Sequence, residues 1–404
     1  MNYTELICKI EAELKNKFAQ YEEVSLSNQE KVLNAFISCR VSSIHFANTT
    51  GYGYGDIGRE KLGEVFAKVF NAESAIVSPH FASGTHAIST ALFGLLRPKD
   101  RVLCISGMPY DTLKTVIFGK NIGSLADFGI EFDVIPLKNG NFDEKNIYAA
   151  LNKPYSAVYI QRSAGYERRS GFSISKLRDI ISVIKKLTNC PVIVDNCYGE
   201  FVEEREPTDV GADIIIGSLI KNPGGALAPT GGYIAGSSEL IKTIGMRLTA
   251  PGIGTEVGSY ENSYRNFFQG LFVAPHVVCQ AKKGGLLIAA VMEKLGYKVY
   301  PSAYDIHGDG DIVKVIDFND KDKMIKFCQA VQASSPIDSF AAPEPWAMPG
   351  YENEIIMASG SFVQGSSIEL SADAPVKPPY SLYIQGGITY EHTKIALMRC
   401  LKTI

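Results

Sequence analysis

A mostly parallel α/β sheet followed by a second, smaller domain is the fold this sequence predicts. Three observations carry that expectation. From Ser74 to Gly236, short apolar runs alternate with segments of helical periodicity, the pattern of a sheet with helices on its faces. Two of the apolar runs lead to chemistry-bearing residues, Asp195 and Lys221, and strand ends in a parallel sheet converge on one edge, where ligands sit. The chain has 404 residues, more than a single core usually serves, so two domains are expected.

Bulk composition narrows the function. Hydrophobic residues make up 46% and charged residues 21%, as in ordinary globular proteins. A net charge of −3 with no basic block argues against nucleic acid or an acidic membrane surface as the main partner. The eight cysteines are scattered without a C-x-x-C pair, so neither a zinc site nor a disulfide framework is expected. The first residues lack a basic region followed by an apolar core, and no run approaches a membrane span of about 20 residues. A cytoplasmic protein is the expectation.

In chain order, residues 1–45 predict a helical arm, with Leu6, Ile10, Leu14 and Phe18 recurring at fours and a polar break near Ser25-Leu26-Ser27. Such an arm packs on its own body or on a neighbouring subunit, and the second is favoured. Residues 46–265 predict the large domain. Its strands are Ser74–Ser78, Val102–Ser106, Glu131–Pro136, Ala157–Ile160, Pro191–Val194, Ile214–Ile216 and Gly231–Gly236, with a helix over Ser173–Leu187 among others. Residues 266–404 predict the small domain, entered by a helix over Phe267–Leu295 broken at Gly284-Gly285. Strands at Ile312–Phe318, Ile355–Ser359 and Ser381–Gln385 follow, with helices near Asp320–Ala333 and Tyr390–Leu401. The only tryptophan, Trp346, lies in a Pro-rich stretch, 343–351, expected near the mouth of the site.

The stretch Ser218-Leu219-Ile220-Lys221-Asn222-Pro223-Gly224-Gly225 follows a buried-strand pattern and places one lysine before a chain breaker. A half-buried amine is destabilised as an ammonium, so its pKa is expected to fall and the amine to act as nucleophile or base. A strand-end lysine reaching for water fits the same residues. Upstream, Pro191-Val192-Ile193-Val194-Asp195 brings a carboxylate to a neighbouring strand end. Ser83-Gly84-Thr85 opens a helix with small residues, which leaves N–H groups and the positive dipole end free for a phosphate; an ordinary N-cap is the alternative. Tyr110 follows the Val102–Ser106 strand, offering a ring face and a hydroxyl, or simply filling a loop pocket. Gly53 to Gly58 spells a G-x-G-x-x-G, but no good strand pattern precedes it, so a ligand-reaching loop with Tyr54 and Arg59 or a plain surface turn fits better than a dinucleotide fingerprint. Arg162 at a strand end is equally compatible with facing a ligand and with a structural ion pair.

Together these residues resemble the pyridoxal 5'-phosphate (PLP) enzymes of fold type I, the aspartate aminotransferase-like group. The nearer resemblance is to the methionine γ-lyase and cystathionine lyase branch, and within it to the bacterial methionine γ-lyase-like, aluminium-resistance family. It covers about Gly51 to the C-terminus. It implies a seven-stranded, mostly parallel sheet in the large domain and a smaller C-terminal α+β domain. It further implies Lys221 as Schiff-base lysine and proton carrier, and Asp195 on the pyridine nitrogen. Tyr110 would stack on the ring, and Ser83, Gly84, Thr85 and Ser218 would hold the phosphate. Tyr54 and Arg59 would reach across a homodimer, or within a homotetramer, to the partner's cofactor. The implied reaction is β- or γ-elimination from a sulfur amino acid such as cystathionine, cysteine or methionine, giving a thiol, ammonia and a 2-oxo acid. Transamination, decarboxylation or racemisation on the same site is the alternative, and a nucleotide-binding oligomeric module the third. Two features depart from the family. No arginine marks the late strand Leu382–Gly387 to hold the substrate carboxylate, leaving Arg162, Arg247 and Arg399 elsewhere, and Asn222-Pro223-Gly224-Gly225 replaces the usual residues after the lysine.

Overall fold

The computed structural model describes residues 2–305, 310–348 and 351–404. Helices α1 (Tyr3–Ser38) and α2 (Ile57–Val69) precede an alternating series. It runs β1 (Ser74–Ser78), α3 (Gly84–Leu95), β2 (Arg101–Cys104), α4 (Asp111–Phe118), β3 (Glu131–Val134), α5 (Glu144–Ala150), β4 (Ala157–Gln161), α6 (Ile174–Leu187), β5 (Val192–Asp195), β6 (Ile214–Ser218) and β7 (Gly232–Gly236). Then come α7 (Ser238–Gly245), α8 (Arg265–Lys294), β8 (Lys298–Tyr300), β9 (Lys314–Asp317), α9 (Lys321–Ala333), β10 (Ile355–Ser359), β11 (Ser371–Pro375), β12 (Ser381–Gln385) and α10 (Tyr390–Cys400).

The first seven strands form one sheet in the order β1-β7-β6-β5-β4-β2-β3, parallel except for β7, which runs antiparallel to β1 and β6. Its middle strands read as near-continuous apolar runs because both faces are covered by helices. Along β5, Val192 and Val194 enter one core while Ile193 enters the other, as a period of two demands. Each such fully buried side chain contributes about 1.5–3 kcal/mol. The last five strands form an antiparallel sheet, β10-β11-β12-β9-β8, whose core is shared with α8, α9 and α10.

Several expectations need correcting. Helix α1 passes through residues 25–27 without a break, and Ser25 Oγ donates to the Pro275 carbonyl at 3.1 Å rather than competing for its own backbone. The arm packs on its own chain: Ile7, Ile10 and Leu14 join Leu286 to Met292 of α8 in one core. Helix α8 is also continuous across Gly284-Gly285. A Cβ at Gly284 would fall 2.7 Å from Thr393 Cγ2, so that glycine admits α10 rather than ending α8. Strands β8 and β11 were not anticipated, the first being short and the second, Ser-Ala-Asp-Ala-Pro, lacking a strand pattern. In the stretch 343–351, Pro349 and Gly350 lie outside the described residues. The Trp346 backbone pairs with Ile355 and its side chain is exposed, while Tyr351 reaches the central cavity.

Candidate active site

The edge formed by the C-terminal ends of the parallel strands holds a cavity of about 300 Å³. Register decides what meets there. Gln161 of β4, Asp195 of β5 and Ile216 of β6 are neighbours across the sheet, so Asp195 is the last strand residue beside a β6 that ends in Ser218. Beyond Ser218 the chain leaves the sheet, and Lys221 precedes a short 3-10 turn, Asn222–Gly224. Gly225 then adopts φ +53°, and a Cβ there would sit 2.3 Å from the Gly270 carbonyl of α8, so the turn after the lysine requires glycine. Asn222 pins the turn from the other side by donating to the Glu200 carbonyl at 2.9 Å.

Seven expected residues, Ser83, Gly84, Thr85, Tyr110, Asp195, Ser218 and Lys221, line this one cavity. Ser83 caps α3 by accepting from the His86 N–H at 3.1 Å. The first helical N–H groups follow at Gly84 and Thr85, where a Cβ on Gly84 would meet Ser218 Cβ at 3.2 Å and Cys197 Sγ at 3.3 Å. Thr85 Oγ1 is 2.9 Å from the Tyr110 hydroxyl. Ser218 Oγ is buried without a hydrogen-bond partner among the described residues. A buried hydroxyl left unpaired is costly, and here it lies beside a helix N-terminus that favours an anion. The cradle therefore fits the phosphate of PLP.

Electrostatics divide the site by role. Asp195 is buried; its Oδ1 accepts from the Cys197 N–H at 3.1 Å and its Oδ2 from the Tyr159 hydroxyl at 3.5 Å. Burial raises its pKa, against the pull of Lys221 and of these donors. Lys221 Nζ lies 3.8 Å from the centroid of the Tyr198 ring, whose own backbone takes φ +69°. The lysine departs from expectation. Burial lowers its pKa, but Cys197, Tyr198, Asp195 and Tyr110 together outweigh that, and the ammonium is held above its ordinary value. The sequence reading weighed the burial and not the pull of these partners, although it had placed Asp195 and Tyr110 at the site. Burial, then Asp195 and Cys197, push the Tyr110 phenol well above its usual range, so its hydroxyl stays protonated as a donor.

Tyr54 and Arg59 do not reach the cavity of their own chain. Tyr54 is 66% exposed and its ring leans on Tyr52 at 5.6 Å. Arg59 binds the carbonyls of Gly258, Gly53 and Glu256. A 3-10 turn, not a strand, lies ahead of the G-x-G-x-x-G, and the N-terminus of α2 is capped by the buried carboxylate of Asp56. Asp56 also accepts from Thr49 at 2.6 Å and Tyr264 at 2.7 Å. An acid on that helix end repels a pyrophosphate, which removes the dinucleotide reading. Arg162 is fully buried and structural, bound to Asn196, Gly199, Glu203 and Phe172. Neither it, Arg247 nor Arg399 lines the cavity.

The sequence reading missed the other wall. Asp373 of β11 and Gln385 of β12 close the cavity from the small sheet, with Tyr166, Tyr351 and Tyr383 around them. Tyr198 was within reach of the sequence, three residues past Asp195 at the same strand end. Asp373 carried no such signal, because nothing marked β11 as a strand.

The model of the family described as methionine gamma-lyase matches residues 3–404. The chain is 47% identical to the uncharacterized protein YnbB of Bacillus subtilis over 401 residues, 98% of this chain and 95% of that one. A solved carbon-sulfur lyase involved in aluminum resistance from Clostridium novyi is 47% identical, with a TM-score of 0.94 over 98% of this chain and 94% of that chain. At 16% identity, the pyridoxal-5'-phosphate dependent protein YhfS of Escherichia coli shares the fold, with a TM-score of 0.63 over 95% of this chain and 97% of that chain. The chain belongs to the methionine gamma-lyase family of PLP-dependent carbon-sulfur lyases.

Proposed function

We propose that this chain cleaves a carbon–sulfur bond of a sulfur amino acid by β- or γ-elimination, using the cavity between the two sheets. The observation that carries the reading is the convergence of a buried lysine, a buried aspartate and a helix N-terminus with an unpaired hydroxyl on one cavity. PLP supplies an electron sink for the pair left on Cα when its proton departs. The backbone N–H groups of Gly84 and Thr85, with the Ser83 and Ser218 hydroxyls, would hold the phosphate. Asp195 would keep a proton on the pyridine nitrogen, and the Tyr110 ring would cover one face of the cofactor. Lys221 Nζ would bind the aldehyde carbon until the substrate amine takes its place. It would then accept the Cα proton, and the Tyr110 hydroxyl, lining the same cavity, would assist in proton transfer.

With no arginine among the described residues lining the cavity, the substrate carboxylate would meet neutral donors, amides and hydroxyls. Tyr54 and Arg59 would serve the cavity of a second copy, in an assembly of two or four chains in the cytoplasm. Light scattering tests the assembly. For the reaction, the cofactor-loaded protein is incubated separately with cystathionine, cysteine and methionine. Equal release of thiol, ammonia and 2-oxo acid from one of them is the expected result. Amino-group transfer to a 2-oxo acid, carbon dioxide release or racemisation without thiol would replace the lyase reading with another reaction at the same site.

A further inference from the structure

The small-sheet wall of the cavity contains an arrangement that the proposed chemistry leaves unused. Asp373 and Gln385 face the cavity from adjacent strands, and the Asp373 Oδ2 atom lies 3.5 Å from both the Gln385 amide nitrogen and the Tyr166 hydroxyl. Those contacts are long, and Oδ1 accepts no hydrogen bond among the described residues. The carboxylate forms no ion pair there either. Around it stand rings. Tyr166 meets Tyr383 edge-on at 4.7 Å and Tyr351 at 6.2 Å, and Tyr383 is held by its hydroxyl's bond to the Tyr166 carbonyl at 2.7 Å. Burial raises the Asp373 pKa to about 6, with Gln385, Tyr166 and Lys221 pulling against it, so the group still carries its charge in neutral solution.

A carboxylate with a free oxygen, set among tyrosine rings and hydroxyls, is the chemistry of an ammonium site. The charge pairs with the cation, and hydroxyl and amide oxygens can accept from its remaining N–H groups. The same wall repels an anion, so it is ill suited to a substrate carboxylate. Asp195 and Lys221 are committed to the cofactor, which leaves Asp373 as the one remaining ionised group among the described residues that line the cavity.

We propose that Asp373, with Tyr166, Tyr351 and Tyr383, binds a second ammonium group on the substrate side chain, so that the preferred sulfur amino acid carries a distal amine. This rests on the lyase reading for the sulfur, and on the cavity alone for the amine. Cystathionine offers this wall a second amino group beyond its sulfur, with the carboxylate on the same carbon turned away from Asp373; methionine, which ends in a methyl, offers no cation.

The test separates the two parts. Lysine and norleucine share the same amino-acid end, differ in one terminal ammonium, and have no sulfur to expel. Calorimetric titration of the cofactor-loaded protein with each measures the ammonium site without turnover. Wild-type protein should bind lysine about tenfold or more tighter than norleucine, the size of a charge-assisted contact. Asp373→Asn should erase that preference while leaving norleucine affinity within about threefold. Equal affinities in the wild type would overturn the proposal before any variant is made, as would a preference that survives in Asp373→Asn. Should lysine be preferred while no sulfur amino acid yields a thiol, the ammonium site stands and the lyase reading fails. In turnover, kcat/KM for cystathionine should exceed that for methionine and fall about tenfold or more in Asp373→Asn.

Discussion

The two walls of the cavity are built on different principles. The large-sheet wall is organised by strand ends: β5 delivers Asp195, β6 delivers Ser218 and the turn to Lys221, and α3 points its N-terminus between them. It carries opposite charges and an anion cradle, which suits a cofactor whose charge pattern is fixed. The small-sheet wall is organised by rings and amides and bears one acid, Asp373. The contrast teaches where each kind of specificity lies. On the proposed reading, cofactor chemistry would sit on the parallel edge, and substrate choice would fall to an antiparallel sheet brought over from the other half of the chain.

If that division holds, damage to the first wall should abolish chemistry for every substrate alike. Lys221→Ala should lower kcat by about 10⁴-fold or more, since it removes both the covalent anchor and the proton acceptor. Borohydride reduction of wild-type protein should fix the cofactor to the chain, and in the variant it should not. A variant that still turns over at a tenth of the wild-type rate would move the chemistry to another residue. Asp195→Asn should cost about 10²–10³-fold, because the electron sink loses the group that keeps its ring nitrogen protonated. The two activities differ in rank but not in kind: both losses should be the same for cystathionine and methionine, unlike the selective loss from Asp373→Asn.

Tyr110→Phe should act more gently. It removes one hydroxyl bonded to Thr85 at 2.9 Å but keeps the ring. A fall of about tenfold in kcat, with little change in cofactor affinity, matches the loss of one hydrogen bond. A loss as large as that of Lys221→Ala would instead make the hydroxyl a principal proton carrier.

The same division explains what the sequence disclosed. Asp195 and Lys221 stood out because apolar runs of β-branched residues led up to them, and a parallel sheet gathers such ends by construction. Ser83-Gly84-Thr85 stood out because small residues opened a helical pattern. The seven-stranded sheet followed from alternation and from the family resemblance. Asp373 stayed hidden because β11, Ser-Ala-Asp-Ala-Pro, is made of small residues with no apolar run to mark a strand between β10 and β12. The direction of the Lys221 pKa was misread because only burial was weighed, whereas Cys197, Tyr198, Asp195 and Tyr110 together outweigh it, and two of these, Asp195 and Tyr110, the sequence had already placed at the same site. Arg162 was open between two roles until its guanidinium could be traced to four oxygens, those of Phe172, Asn196, Gly199 and Glu203.

Behind the large-sheet wall sits a further acid whose protonation keeps that wall's charge simple. Glu200 is fully buried; its Oε1 accepts from the Tyr233 hydroxyl at 2.9 Å, and Oε2 has no partner among the described residues. Burial raises its pKa to about 8, so near neutrality it is mostly uncharged and leaves Asp195 as the charged carboxylate of the large-sheet wall beside Lys221. The folded state thus holds a proton that the unfolded chain, with an ordinary glutamate pKa near 4.5, releases. Stability from this group is full below about 4.5 and is lost as pH rises toward 8, with a slope of at most about 1.4 kcal/mol per pH unit. Glu200→Gln keeps the shape and an acceptor for Tyr233 but has no proton to lose. Its unfolding free energy, measured in urea at pH 6, 7 and 8, should therefore decline less with pH than that of the wild type. Equal slopes would mean that Glu200 is already ionised in the folded protein, and the large-sheet wall would then hold two competing carboxylates around one lysine.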